Sequence, residues 1–365
     1  MNFYMPVQVQ IGDNAVENSA AKIAAFGRRC LIVTGASSAK RSGALDDVIH
    51  ALDAQNISWQ VFDGIKASPT MEACLAAAAQ AADFGAELII GIGGGSPLDA
   101  AKVVAVAAAN QDIDAKGLYN KQWTHPRLPL VLVGTTAGTG SEVTPVAVLT
   151  NDAGVKKSIR DDMLYADLAL GDPKYTMSLP RSITVSTGID AVTHCTESYF
   201  SKKTNAFSRA CALYGMELLL PPLQSLVNGD ALSYRQRSDL YQGSIMAGLA
   251  ISVTGTVFAH NVGYYFSENH GLPHGEACAL FLPELLRHAA VCAPEYSAAY
   301  YSKLGITMEA LIALTEALLP TPKIKLTEAL VDSLLPRWEN NGSVNNTIGS
   351  ITTQDIKQIL MTKFA

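Results

Sequence analysis

Short apolar runs alternate with longer stretches of helical spacing through the first half of the chain. Cys30–Thr34 (CLIVT) reads as a strand, followed by a polar, glycine-containing turn through Gly43 and a helix to about Ala54. Ser58–Asp63 (SWQVFD), Glu87–Ile92 (ELIIGI) and Leu128–Gly134 (LPLVLVG) read as further strands. Between them, Met71–Phe84 and Pro97–Asn110 have the composition and spacing of helices. Strands separated by helices of this length require crossovers, which lay helices on both faces of a parallel sheet. Near Pro180 the pattern changes to helical periodicity, as in Ala206–Leu220, Arg235–Ala250 and Met308–Leu319. The expected organisation is an α/β domain over residues 1–180 and an all-α domain over residues 181–365.

A length of 365 residues exceeds one ordinary core and agrees with two domains. Hydrophobic residues make up 48% and charged residues 16%, which excludes a disordered chain. A formal charge of −6 gives no electrostatic reason to bind nucleic acid or anionic lipid. The richest apolar stretch, around Leu88 to Ala109, is broken by a glycine run, Asp99 and Lys102, so no membrane span is expected there. The first residues show no basic segment followed by an apolar one, and the six cysteines form no C-x-x-C pair. A cytoplasmic protein with free thiols is the expectation.

Two loops carry nucleotide-binding chemistry. The strand ending at Ile92 runs into Gly93-Gly94-Gly95-Ser96-Pro97 and then a helix. Glycines let backbone N–H groups approach an anion, Pro97 suits a first helical turn, and the helix N-terminus adds positive partial charge. Asp99 in that turn would cap N–H groups or contact the ligand. The pattern is not G-x-G-x-x-G, so it is Rossmann-like in position rather than in fingerprint. A second loop, Thr135-Thr136-Ala137-Gly138-Thr139-Gly140-Ser141-Glu142-Val143-Thr144, lies at the carboxyl end of the next strand, where α/β proteins bind ligands.

Metal-ligand chemistry is concentrated in the second half. Ser186–His194 reads as the opening of a helix with a hydroxyl near its N-cap. Asp190 and His194 stand four residues apart and share a helical face, flanked by Ile189, Ala191, Val192 and Cys195. A buried carboxylate there needs a partner. Three of the seven histidines, His260, His270 and His274, fall within fifteen residues. Asp190, His194, His260 and His274 offer one oxygen and three nitrogens without a thiolate, a set suited to Fe(II) and open to Zn(II), Mn(II), Co(II) or Ni(II).

GGGSPLDAAK, TTAGTGSEVT, GIDAVTH and the two-histidine stretch ending HGLPHGEA together resemble the iron-containing (group III) alcohol dehydrogenase family. The motifs occur in family order from about residue 5 to residue 290. The resemblance implies the dehydroquinate synthase-like fold, with a dinucleotide-binding α/β domain and a helical metal domain. It places the metal on Asp190, His194, His260 and His274, and a cofactor contact on Lys157. It also implies a homodimer acting on a small alcohol or aldehyde, with the metal as Lewis acid and the nucleotide held by Gly94, Gly95, Ser96, Asp99, Thr135, Thr136, Thr139 and Thr144.

Two positions depart from the family pattern. NAD-preferring members carry an Asp after the first strand of the dinucleotide domain, where it binds the ribose 2′-OH. Here the position is Gly35, followed by Ser37, Ser38, Lys40 and Arg41. Without the carboxylate, and with hydroxyls and cations nearby, NADP(H) is the expected preference over NAD(H). Many members also have a further His one turn after the third ligand, and here it is Tyr264. Tyr264 and His270 are the two candidates for the proton path. The enzymatic alternatives on the same scaffold are a polyol (glycerol-type) dehydrogenase, a maleylacetate-reductase-like enzyme and a dehydroquinate-synthase-like lyase. A non-catalytic nucleotide-binding protein would keep the glycine loop but has no need of four metal ligands.

Overall fold

The computed structural model describes residues 3–151, 154–320 and 322–365. Among the described residues, eight strands lie in the first half: β1 (Gln8–Ile11), β2 (Arg29–Thr34), β3 (Ser58–Phe62), β4 (Leu88–Gly93), β5 (Leu130–Gly134), β6 (Val146–Thr150), β7 (Lys156–Arg160) and β8 (Leu168–Gly171). Six form one sheet in the order β1-β8-β5-β4-β2-β3, with every pairing parallel. β4 and β5 are buried along their whole length, and β2 is buried after Arg29. Their continuous Leu, Ile and Val runs suit interior positions covered on both faces. β3 keeps polar residues on one side and closes an edge. β6 and β7 make a separate antiparallel pair.

The helices Met71–Phe84 and Gly95–Ala109 cover the sheet, the second beginning two residues earlier than the sequence suggests. Residues from β2, β4, β5 and β8 meet Val48, Leu52 and Tyr175 in one apolar core. β1, β7 and β8 have no strong sequence signal: β1 and β8 are four residues long, and β7 (KKSIR) is polar.

Two compact units result. Among the described residues, one comprises Tyr4–Pro180 together with Ser233–Gly248, and the other comprises Phe3, Arg181–Leu232 and Leu249–Ala365. Ser233–Gly248, which holds most of the helix Tyr234–Thr254, packs with the sheet unit because its side chains find partners there. Tyr241 donates to Glu142 at 2.9 Å, and Arg237 donates to the Leu179 carbonyl at 3.3 Å.

In the helical unit, the helix Arg181–Tyr199 is buried from Thr184 onward except at Thr187. Two of its buried hydroxyls are satisfied within the helix: Thr193 donates to the Ile189 carbonyl and Thr196 to that of Val192. The helix starts at Arg181, directly after Pro180, so Ser186 lies inside it and is not an N-cap residue. Ala206–Val227 is the one described helix that alone has the length and apolarity to cross a membrane. Its apolar residues Cys211, Ala212, Met216, Leu219 and Leu223 are buried in the helical unit.

Candidate metal centre

Three helices bring the metal-type side chains together. Asp190 and His194 project from Arg181–Tyr199, His260 from Phe258–Asn269, and His274 opens the short helix His274–Ala279. The approach of the last helix depends on Gly275. A Cβ at that position would sit 2.0 Å from the Ser186 carbonyl oxygen and 2.7 Å from the Asp190 Cβ. Only glycine lets the chain carry His274 this close to Asp190.

The four side chains converge on one atom. Asp190 Oδ1 lies 3.3 Å from His260 Nε2, 3.9 Å from His194 Nε2 and 4.0 Å from His274 Nε2. Oxygen and nitrogen ligands bound tetrahedrally at about 2.1 Å stand about 3.4 Å apart, so this spacing fits one divalent ion. Asp190 Oδ1 and His260 Nε2 are buried and have no hydrogen-bond partner among the described residues. Leaving such atoms unpaired is costly, and a cation satisfies both. The His194 and His260 rings stack with centroids 4.5 Å apart. Burial alone would push the Asp190 carboxyl up, but the imidazoles of His194, His274 and His260 hold it well below the ordinary carboxylate range. His274 is the outward member, with 33% of its side chain exposed against 1–6% for the other three. Access to the cluster is therefore from its side.

A carboxylate behind the cluster organises it. Glu197, fully buried, accepts from the backbone N–H of Val257 at 3.1 Å and of His260 at 2.9 Å. It thereby satisfies first-turn donors of the Phe258–Asn269 helix. Its Oε2 also lies 2.7 Å from His260 Nδ1, off the direction of a linear hydrogen bond. A carboxylate on that side favours the Nδ1–H tautomer and leaves Nε2 to face Asp190.

In the sheet unit the two nucleotide-type loops are adjacent. Gly93 takes φ +152°, which favours glycine, and a Cβ there would meet the Pro97 ring at 2.7 Å. Gly94 lies against Thr136 and Gly95 against Thr139, so the second loop closes over the first. Thr135 Oγ1 is buried without a hydrogen-bond partner among the described residues. Asp99 does not face the loop opening. It accepts from Ser141 Oγ at 2.6 Å and from the Val148 N–H at 2.9 Å, and pairs with the buried Lys102 at 3.4 Å. Thr144 joins the same group through Lys102 Nζ at 3.2 Å. Ser96 Oγ accepts from the Ser68 N–H. Lys157 lies on β7, exposed, with its ammonium 4.5 Å from the Tyr119 ring centroid.

A family model for iron-containing alcohol dehydrogenases matches residues 6–173, and the model of that family's C-terminal part matches residues 184–335. The long-chain-alcohol dehydrogenase 1 of Geobacillus thermodenitrificans is 32% identical over 82% of this chain and 76% of its own length. The chain belongs to the iron-containing alcohol dehydrogenase family. The 1,3-propanediol dehydrogenase of Klebsiella pneumoniae is 31% identical over 80% of this chain and 76% of its own length. An iron-containing alcohol dehydrogenase from Thermotoga maritima superposes with a TM-score of 0.91 at 31% identity, covering 100% of this chain and 99% of that one. Membership makes this protein a metal-dependent alcohol dehydrogenase, with a nicotinamide dinucleotide as the hydride carrier.

Within this iron-containing alcohol dehydrogenase, the two proton-path candidates part company. Tyr264 stacks on His274 with centroids 5.5 Å apart. Burial pushes its phenol further above its already high ordinary range, which keeps it protonated and removes it as a base. His270 is exposed at the end of its helix and rests on Phe266 and Tyr265 instead of joining the cluster. The Gly-Leu-Pro turn between His270 and His274 carries the chain away from one before it delivers the other.

Two residues at the centre escaped sequence reading. Glu197 stands seven residues after Asp190, on the same helical face, but a lone Glu in a helix ordinarily signals solvent. Cys278 stands four after His274, and its Sγ reaches to 3.6 Å from His274 Nδ1. A Glu197→Ala variant is expected to bind its divalent ion about 10–100-fold more weakly, with Glu197→Gln in between, as measured by chelator competition. Unchanged affinity in Glu197→Ala would show that His260 holds its orientation without the carboxylate.

Proposed function

We propose that this chain moves a hydride between NADP(H) and a small alcohol/aldehyde pair, with a divalent ion held by Asp190, His194, His260 and His274. The observation that carries the reading is the convergence of three imidazole nitrogens within 4.0 Å of the buried Asp190 Oδ1. Once bound, the ion supplies Lewis acidity toward the substrate oxygen, and the nicotinamide gives or takes the hydride. The chain's own residues do the rest. Asp190 contributes the single negative charge of the ligand set, and Glu197 fixes the tautomer of His260. Gly94, Gly95 and Ser96 leave backbone N–H groups near the start of the Gly95–Ala109 helix for the cofactor phosphates. Thr135, Thr136 and Thr139 line the adjoining loop and supply hydroxyls to position the dinucleotide. Asp99 and Thr144 act behind this surface by bracing the two loops through Lys102 and Ser141. The stacked Tyr264 ring holds the His274 ring in place.

The preference for NADP(H) rests on Gly35. It follows β2 directly, and a Cβ added there would meet the Ile65 carbonyl oxygen at 3.0 Å. Ser37, Ser38, Lys40 and Arg41 come next, with Lys40 paired to Asp63 at 3.4 Å on the surface. A 2′-phosphate would draw on these hydroxyls and cations, each charge-assisted bond contributing about 1.5–3 kcal/mol. Gly35→Asp is therefore expected to lower kcat/KM for NADPH about tenfold or more, with little change for NADH. The single thiol exposed to solvent is Cys292, and all six cysteines are free, in keeping with a reducing, cytoplasmic setting. A homodimer is the assembly we assign by family analogy, to be checked by light scattering.

The test is anaerobic loading with Fe(II) or Zn(II), followed by an aldehyde and diol panel with NADPH and NADH in parallel. Aldehyde reduction faster with NADPH is the expected result. NADH clearly outperforming NADPH would sink the Gly35 argument, and no turnover with either would sink the reading as a whole.

A further inference from the structure

The metal cluster holds a donor that its family-type ligand set leaves unused. Cys278 follows His274 by four residues on the His274–Ala279 helix, so the two side chains share a face. Cys278 is fully buried, and its Sγ lies 3.6 Å from His274 Nδ1 and 4.0 Å from His274 Nε2. Ligand atoms of Asp190, His260, His274 and Cys278 all fall within 4.8 Å of one another. A buried cysteine usually behaves as a small apolar residue. This one is different, because the atoms beside it are the orphaned Asp190 Oδ1 and His260 Nε2, both buried and without hydrogen-bond partners among the described residues.

We propose that Cys278 is a sulfur ligand of the divalent ion, so that this chain binds metal through oxygen, nitrogen and sulfur and favours Zn(II) or Co(II) over Fe(II). The inference rests on the metal-site reading above and extends it by one donor. On ligation the thiol releases its proton to solvent and binds as thiolate. Thiolate ligands, together with the general order of divalent affinities, favour Zn(II) and Co(II) over Fe(II). Asp190 and a Cys278 thiolate would also neutralise both positive charges of the ion from the protein side alone.

The full-length protein, reduced and loaded anaerobically with Co(II) or Zn(II), provides the test. The wild type is expected to show near-ultraviolet sulfur-to-cobalt charge-transfer absorption. Its zinc form is expected to show one sulfur scatterer at about 2.3 Å beside nitrogen and oxygen scatterers at about 2.0–2.2 Å in X-ray absorption. Both signals should vanish in Cys278→Ser, which keeps its ion, and persist in Cys195→Ser. The scattering measurement on the wild type stands even where a variant fails to fold. One ion bound through nitrogen and oxygen alone overturns the sulfur ligand and leaves the Asp190, His194, His260 and His274 site intact. A wild type that binds no ion overturns both.

Discussion

An Asp190→Ala variant is expected to lose its divalent ion and about a thousandfold or more of its aldehyde-reducing activity, while remaining folded. The loss follows from geometry and charge. Asp190 Oδ1 is the point on which His194, His260 and His274 converge, and it carries the negative charge among them. Without it, three neutral imidazoles would have to hold a doubly charged ion in a buried site. Lewis-acid stabilisation supplies several kcal/mol to such a transition state, and each 1.36 kcal/mol is tenfold in rate. Folding should survive because the helix Arg181–Tyr199 is anchored by its buried apolar residues, among them Val185, Ile189, Val192 and Cys195, and not by this one carboxylate. The lost attraction to the neighbouring imidazoles is expected to lower Tm without unfolding the chain. Bound metal per chain, turnover and thermal unfolding measured on one preparation check all three parts. A variant that keeps one ion and full turnover would falsify the role given to Asp190.

The second large effect concerns the sheet unit. Lys102→Met is expected to destabilise the protein by about 3–5 kcal/mol, the cost of breaking a buried ion pair by removing one partner. Lys102 is fully buried on the Gly95–Ala109 helix. Its ammonium donates to Ser141 Oγ and the Val146 carbonyl, each at 2.7 Å, and to Thr144 Oγ1 at 3.2 Å, and it pairs with Asp99. These bonds tie the glycine-loop helix to the hydroxyl-rich loop and the start of β6. Methionine fills the volume but leaves the Val146 carbonyl and one side of Asp99 unpaired. Burial pulls the Lys102 ammonium below its ordinary range, with Asp99 acting in the opposite direction, so its partners are what keep it charged. For a unit of this size a loss of 3–5 kcal/mol lowers Tm by about 6–20 °C. Weaker cofactor binding should accompany it, because both loops lose their brace. A shift of Tm within the range of a surface substitution would mean that the buried ammonium contributes nothing net.

The legible and illegible parts of this chain divide along physical lines. β2, β4 and β5 were readable because interior parallel strands must be continuous apolar runs, and their sequences have no other use for so many Val, Leu and Ile residues. β1 and β8, at four residues each, are too short for periodicity to register, and the polar β7 pairs only with β6. Asp190 and His194 could be paired from helical spacing alone. His260 and His274 come from other helices, so their meeting with Asp190 depends on tertiary packing, including the contact that Gly275 permits. Spacing is silent about direction, which is why His270 and His274 look alike in sequence while only His274 reaches the cluster. Glu197 and Cys278 carry no distinct signal in the sequence, because each residue type has an ordinary role elsewhere, as a solvated acid or a small core residue. Asp99 carries the opposite lesson: a carboxylate in a first helical turn beside a glycine loop invites a ligand contact, yet its bonds run to Ser141, Lys102 and β6.

The most direct test of the metal centre is metal content and turnover of the wild type beside a His260→Ala/His274→Ala double variant, both reconstituted anaerobically with Fe(II) or Zn(II). The wild type should bind one ion per chain and reduce an aldehyde with NADPH, and the double variant should do neither while keeping its fold. Undiminished metal content and activity in the double variant would contradict the assignment of the site.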